Sequence, residues 1–334
     1  MGNLQDCSIN AKPESVYKTA VTPDRAYEFT DESLKWEPNI VQGEGLRAGS
    51  FVDRSGRRVV PNGQGSGDIT MEIVSKGFGY WWQACLGAGV STLVSGSTQQ
   101  QNFTWAKQPS SLTVQKTSVR ADGTVDPFTF KGCMVTQFVI TFNNAGLVTL
   151  QVSLDIGDFD TATGFASLTY PTTPNLFHFG QWTMATGTFT APTTTALPSA
   201  ATPLTGVRSL TITGNRNPVD DRFNALGTGR KDQPIGTKFD ITGSMDVEYV
   251  STAQRDNFLA QTEFALVSTV TAGALSTGLE TLCVALPACK IDDGGTPEAN
   301  GTGLIVQSIA FTALDNLSAA QPIWVSTRTA DAAI

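Results

Sequence analysis

The sequence predicts a mainly β protein with flanking helices, built from two tandem copies of one domain. Three observations carry this. Several segments alternate apolar and polar residues with period two, the mark of a strand with one wet face. Only 16% of the 334 residues are charged, and the polar remainder is rich in Thr, Ser, Asn, Gln and 32 Gly, which suits short strands joined by turns. Part of the chain is also written twice. Shifting the numbering by 176 lays Ser33–Ala84 on Ser209–Ala260 without a gap, with Asn39 on Asn215, Arg54 on Arg230 and Glu72 on Glu248. That period far exceeds the roughly 20–50 residues of solenoid repeats. It reads as a first domain over 1–175 and a second over 206–334, joined by a Thr/Pro/Ala-rich linker over 176–205.

The elements follow in order. Glu37 to Ser66 is a long Gly- and Arg-bearing loop, and Thr213 to Lys238 is its counterpart; loops of this length are usually functional or mobile. After each loop a strand is expected: Ile69, Met71 and Ile73 alternate with Asp68, Thr70 and Glu72, as Met245, Val247 and Tyr249 do with Ser244, Asp246 and Glu248. A helix should follow each strand. The first spans Phe78 to Leu86 and is capped by Gly87; the second is placed over Thr252 to Val267. Further strands are expected at Leu112–Val119, Met134–Phe142, Leu147–Ile156, Leu282–Leu286, Leu304–Ala313 and Pro322–Arg328. Both halves thus read strand, long loop, strand, helix, then three strands.

Composition excludes several classes. A net charge of −8 lacks the basic face of a nucleic-acid binder. No apolar run reaches the roughly 18 residues of a membrane span. The opening MGNLQDCSIN does not read as a secretory signal, and Asp6 spoils a myristoylation pattern. Five cysteines, an odd number, are expected as reduced thiols, and the three N-x-S/T sequons then carry no meaning.

No catalytic constellation emerges. The single histidine, His178, sits between Phe177 and Phe179 and reads as a packed or surface residue. Cys283 and Cys289 are spaced too widely for a zinc pair and no histidine lies nearby. The glycines from Gly63 to Gly67 precede a strand, whereas phosphate-binding glycines follow one and open a helix. Asp292-Asp293-Gly294-Gly295 reads as a turn, and Tyr80-Trp81-Trp82 as helical core packing. No metal or cofactor is expected.

The runs VYKTAVTPDRAYEFTDESLKW from Val16, VQGEGLRAG from Val41 and GSGDITMEIVSKGFGYWWQACLG from Gly65 resemble the tail tube (major tail) proteins of long-tailed bacteriophages. So do Lys131-Gly132-Cys133-Met134-Val135, ITGSMDVEYVS from Ile241, CVALPACKI from Cys283 and LIVQSIAFTAL from Leu304. The resemblance covers most of the chain. It implies a β-sandwich or barrel tube domain with a flanking helix, in two tandem copies, within a structural virion protein located in the phage tail whose rings stack into a hollow tube. The inner strands join into one continuous β-barrel through which DNA passes to the host. Most members carry one tube domain and form hexamers, so two domains imply a trimeric ring with pseudo-sixfold symmetry. The implied partners are further copies of the chain and the tape-measure, tail-terminator and baseplate proteins. DNA would cross the bore without specific binding, and no membrane anchor is implied.

A conduit wall should repel phosphate weakly and hold no basic site. Asp68, Thr70, Glu72, Thr149, Gln151, Ser153, Asp155, Asp246 and Glu248 are therefore candidates to face the bore. Alternation alone leaves open whether that wet face is inner or outer. The resemblance gives the long loops the task of joining rings, and Arg47, Arg54, Arg57, Arg58, Arg216, Arg222, Arg230 and Lys231 are the candidate cations. Rival readings are a two-domain β-sandwich adhesin or carbohydrate-binding module using Tyr80, Trp81 and Trp82, a glycan-acting enzyme working through carboxylates, and a tail-completion or baseplate ring protein.

Overall fold

Strands with one apolar face need a partner layer, and the chain supplies it by bending two long strands between layers. The computed structural model describes residues 4–224, 231–297 and 303–334. The first half contains β1 (Ser8–Pro13), β2 (Arg25–Tyr27), β3 (Asp31–Glu32), β4 (Lys35–Gln42) and β5 (Arg58–Glu72). Helix α1 (Gly79–Leu86) then leads to β6 (Gly87–Ser95), β7 (Thr98–Trp105), β8 (Leu112–Val119), β9 (Val125–Phe142), β10 (Val148–Ile156) and β11 (Asp158–Asp160). The second half contains β12 (Trp182–Thr190), β13 (Ser199–Pro203), β14 (Val207–Asn215), β15 (Pro218–Val219), β16 (Ile235–Gly236) and β17 (Asp240–Glu248). Helix α2 (Ala253–Ala260) precedes β18 (Phe264–Ala274), β19 (Leu279–Asp293), β20 (Val306–Ala313) and β21 (Trp324–Thr329).

The protein is mainly β, and its strands pair antiparallel. One run of neighbours is β4–β5–β10–β9–β14–β17–β20–β19. Strand β9 pairs β8 and β11 through its first half and β10 and β14 through its second. Strand β19 likewise pairs β18 and β21 before it reaches β20. Among the described residues β4 pairs only β5, so the sheet of the single chain is open and not a closed barrel. The apolar faces meet in one continuous core in which Ile9, Val114 and Phe130 share a cluster with Ile69, Ile140, Leu150 and Ile212.

The written repeat is also a repeat of pairing. Thr70 opposite Gln151 and Ile69 opposite Val152 recur as Asp246 opposite Ser308 and Met245 opposite Ile309. Val135 opposite Leu154 recurs as Ile291 opposite Phe311, and a bulge follows at the same place in both strands. The ungapped alignment slips in one strand. Lys35 lies opposite Ser66, whereas the counterpart of Ser66, Thr242, lies opposite Thr213. In the sheet Lys35 therefore corresponds to Thr213, two residues beyond its aligned partner Thr211. A slip of two keeps every side chain on its face, which is why the alternation did not reveal it.

Several expectations need correction. The second helix stops at Ala260, Gln261 takes a left-handed conformation (φ 50°), and β18 starts at Phe264. Val267, Thr269, Val270 and Thr271 are strand formers, and β18 is paired on both sides, by β12 and β19. The Thr/Pro/Ala-rich stretch holds a hairpin, β12–β13, docked through β12 on β18. The hairpin β6–β7 follows α1 and joins the second half through β21. Helix α1 itself ends as expected: Gly87 is left-handed (φ 106°) and its N–H reaches the Gln83 carbonyl. Trp81 and Trp82 are buried in the core, and His178 is exposed.

Candidate functional site

Pairing register assembles the polar side chains of the sheet into rows. One row reads Asp68, Ser153, Gln137, Asn215 and Asp240. The next reads Thr70, Gln151, Val139, Thr213, Thr242 and Thr312, and the third Glu72, Thr149, Thr141, Thr211, Ser244 and Ala310. The rows cross from the first half into the second without a break. As far as β20 they carry three carboxylates and no lysine or arginine; β19 then adds Lys290 opposite Thr312 and Asp293 opposite Ala310. The opposite face is the core: Met71, Leu150, Ile140, Ile212, Phe311 and Ile291 lie in one buried row.

Of the residues expected on this wet face, Asp68, Thr70, Glu72, Thr149, Gln151 and Ser153 are part-exposed or exposed. Asp246 accepts hydrogen bonds from the hydroxyls of Ser209 (2.8 Å) and Ser308 (2.5 Å). Glu248 lies 3.6 Å from the Arg208 guanidinium. Asp155 departs from the group. It continues the alternation, but the second-half loop covers it, and it is buried in an ion pair with Lys231. Burial raises its carboxyl above the ordinary carboxylate range, and the hydrogen bond from Lys231 opposes that rise.

The two long loops, alike in sequence, have different surroundings. The second-half loop is folded back on the first half. Arg216 donates from Nε to the Cys85 carbonyl (2.9 Å) and from Nη1 to the Ala106 carbonyl (3.1 Å). Cys85 lies in the last turn of α1, where a cation meets unpaired carbonyls and the negative end of the helix dipole. The guanidinium also lies over the Trp105 ring at 4.2 Å, and Trp105 stacks on Phe239 at 4.0 Å. Burial lowers the Arg216 pKa to about 10. Gln108 donates to the Pro234 carbonyl (3.0 Å), fixing the loop again. Arg222 donates to the Gln233 carbonyl and approaches Asp232 at 4.0 Å, both within the loop. Arg216 and Lys231 are thus buried intrachain anchors, whereas the sequence reading named them as candidates to join rings. Arg230 lies outside the described residues.

The first-half loop is a projecting arm. Strands β4 and β5 pair as a two-stranded ribbon as far as Gln42 and Arg58, and residues 43–57 form its tip. Arg47, Arg57 and Arg58 are exposed and Arg54 is half-buried. Apolar side chains stand out as well. Leu46 and Phe51 are fully exposed, Val52 nearly so, and Ile40, Val41, Val59 and Val60 lie open along the ribbon. Sequence reading singled out the arginines and missed these residues, although Leu46 and Phe51-Val52 in a glycine-rich loop were visible. An exposed apolar group of this size on one element marks an interaction surface.

Residues 5–313 match the family model for phage tail tube proteins. No curated protein matches the chain.

Proposed function

The chain belongs to the phage tail tube protein family, and from that premise we propose that it polymerises as stacked rings of three chains around a bore that DNA crosses. It is a structural protein of the virion tail. The observation that carries the proposal is the recurrence of four-strand units, β4–β5–β10–β9 and β14–β17–β20–β19, hydrogen-bonded to each other in one sheet with an end open on each side. Each unit acts as one tube domain. Three chains then provide six units around one axis, and closure removes the open edges, which otherwise favour disordered association. Electron microscopy of the purified protein tests this: rings or tubes are expected, with native mass spectrometry giving three chains per ring. Monodisperse monomers under assembly conditions would exclude the reading, and six chains per ring would exclude the pseudo-sixfold arrangement.

In this proposal the three polar rows line the bore. Hydroxyls, amides and scattered carboxylates repel the DNA backbone weakly, and a single lysine at the β19 end, Lys290, is too sparse a cation to hold phosphate. The Glu72→Lys variant places a cation in every unit of the first half. Tubes are expected to assemble normally while DNA leaves the capsid more slowly, with the delay shrinking as salt rises. Ejection at the wild-type rate would place these rows on the outer surface. Terminator, baseplate and tape-measure proteins are the further partners of such a tube.

A further inference from the structure

The chain contains one seam between its two units, and the same seam reappears half-built at its ends. Inside the chain, β9 and β14 pair over six positions, from Phe142 opposite Leu210 to Gln137 opposite Asn215. The counterpart of β14 is β4, whose far edge has no strand partner among the described residues. The counterpart of the second half of β9 begins at Asp293, which pairs with Ala310 as Gln137 pairs with Ser153. There the two halves differ. Strand β9 continues to Phe142, whereas β19 ends at Asp293 and residues 294–297 are not strand. Gly294 is left-handed (φ 84°), and the buried Gln307 side chain donates to the Gly295 carbonyl (3.1 Å), holding the segment close to β20.

Resting on the ring proposed above, we infer that residues 293–296 of one chain pair antiparallel with residues 34–37 of the next, and that 294–296 become strand only when that neighbour arrives. The internal seam supplies the register. In the sheet Glu37 corresponds to Asn215 and Asp293 to Gln137, so Glu37 falls opposite Asp293, Trp36 opposite Gly294, Lys35 opposite Gly295 and Leu34 opposite Thr296. Two prolines agree with this placement. Pro38 falls just beyond one end, level with the bulge at Asp292, and Pro297 just beyond the other, opposite Ser33. Both lie outside the four pairs, and Pro38 ends the seam there because it lacks the N–H with which its counterpart Arg216 bonds the Thr136 carbonyl (2.8 Å). The ungapped register would instead set Pro38 inside the ladder opposite Gly294. Glu37 and Asp293 are like charges, but Lys35 already pairs with Glu37 at 2.7 Å on an exposed face, where the repulsion is screened.

The test is a cysteine pair. Directly opposed residues of an antiparallel ladder have Cα atoms about 4.5–5.5 Å apart, within disulfide range. Assembled Glu37→Cys/Asp293→Cys protein, oxidised and run on a non-reducing gel, is expected to shift from the monomer band to dimer and trimer, while each single variant stays monomeric. Cys85, Cys133, Cys283 and Cys289 are buried, and the part-exposed Cys7 is replaced by serine in every variant so that it cannot compete. Rings that form without this cross-link, or that link instead through Asn39→Cys/Asp293→Cys, would overturn the register. On wild-type protein the seam-facing amides, Trp36 on one side and residues 294–296 on the other, should gain hydrogen-exchange protection on assembly. Lys35 and Glu37 already face β5, and the Leu34 N–H already donates to the Glu32 carboxylate (3.0 Å). No gain at Trp36 and 294–296 in intact rings would overturn the seam. A wild-type chain that forms no rings would refute the proposed function itself, so the two failures are separable.

Discussion

Removing the tip of the arm, residues 44–56, leaves a protein that folds normally and does not stack into tubes. The fold should survive because the excised segment contributes little to it. Leu46 and Phe51 are fully exposed, and Arg47, Ala48, Gly49 and Ser50 are open to solvent. The last ribbon pair, Gln42 opposite Arg58, lies outside the deletion and can be closed by a short turn. Assembly should fail because the same segment carries apolar side chains that only another protein surface can cover. Each large apolar side chain buried at such a contact contributes about 1.5–3 kcal/mol, so Leu46, Phe51 and Val52 together decide whether rings adhere. The double substitution Leu46→Ser/Phe51→Ser should weaken stacking in the same direction with all arginines kept. Thermal denaturation and electron microscopy read the two halves of the prediction. Tubes of normal length from the deletion variant would show that the arm does not join rings.

Local physics made some elements visible in the sequence, and long-range pairing decided the rest. Leu147–Ile156 is legible to within one residue because Val148, Leu150, Val152, Leu154 and Ile156 alternate with polar residues. Gly87 was legible as a cap because a left-handed residue closing an aromatic helix favours glycine. The second helix was overextended because Phe264 and Leu266 fit a helical stripe until β12 and β19 pair with the segment from both sides. The hairpin β12–β13 was hidden for a related reason: its Thr and Ala residues form a strand on β18, which lies about 80 residues further along the chain. The same limit applies to the site. The polar rows follow from alternation, but nothing local distinguishes Asp155 from Ser153 two residues earlier. Only the fold brings Lys231 across to cover it. The loop arginines likewise look alike in sequence, and their separation into buried anchors and exposed arm follows from what each loop meets.

That buried ion pair carries the largest stability prediction. Lys231 and Asp155 are each almost wholly removed from solvent, and they tie the second-half loop to the wet face of β10. Asp155 keeps its second oxygen without a hydrogen-bond partner, so Lys231 is its main support. Lys231→Met strips the counter-charge and should destabilise the fold by about 3–5 kcal/mol, the usual cost of stranding one member of a buried pair. Adding Asp155→Leu should recover most of that loss, because two apolar side chains of similar volume leave no charge to desolvate. The dependence on pH has a definite sign. A carboxyl whose folded pKa lies above its unfolded value of about 3.9 favours the fold when protonated, so its contribution is present in acid and fades as pH rises through the folded value. Burial already raises the Asp155 carboxyl, and the hydrogen bond from Lys231 restrains the rise. Losing Lys231 releases that restraint. The deficit of Lys231→Met should therefore be full at neutral pH and shrink toward pH 4, while the double variant shows no such trend. Urea denaturation of the three proteins across that range measures it. An equal deficit in single and double variants, unchanged with pH, would mean that the loop does not rest on Asp155.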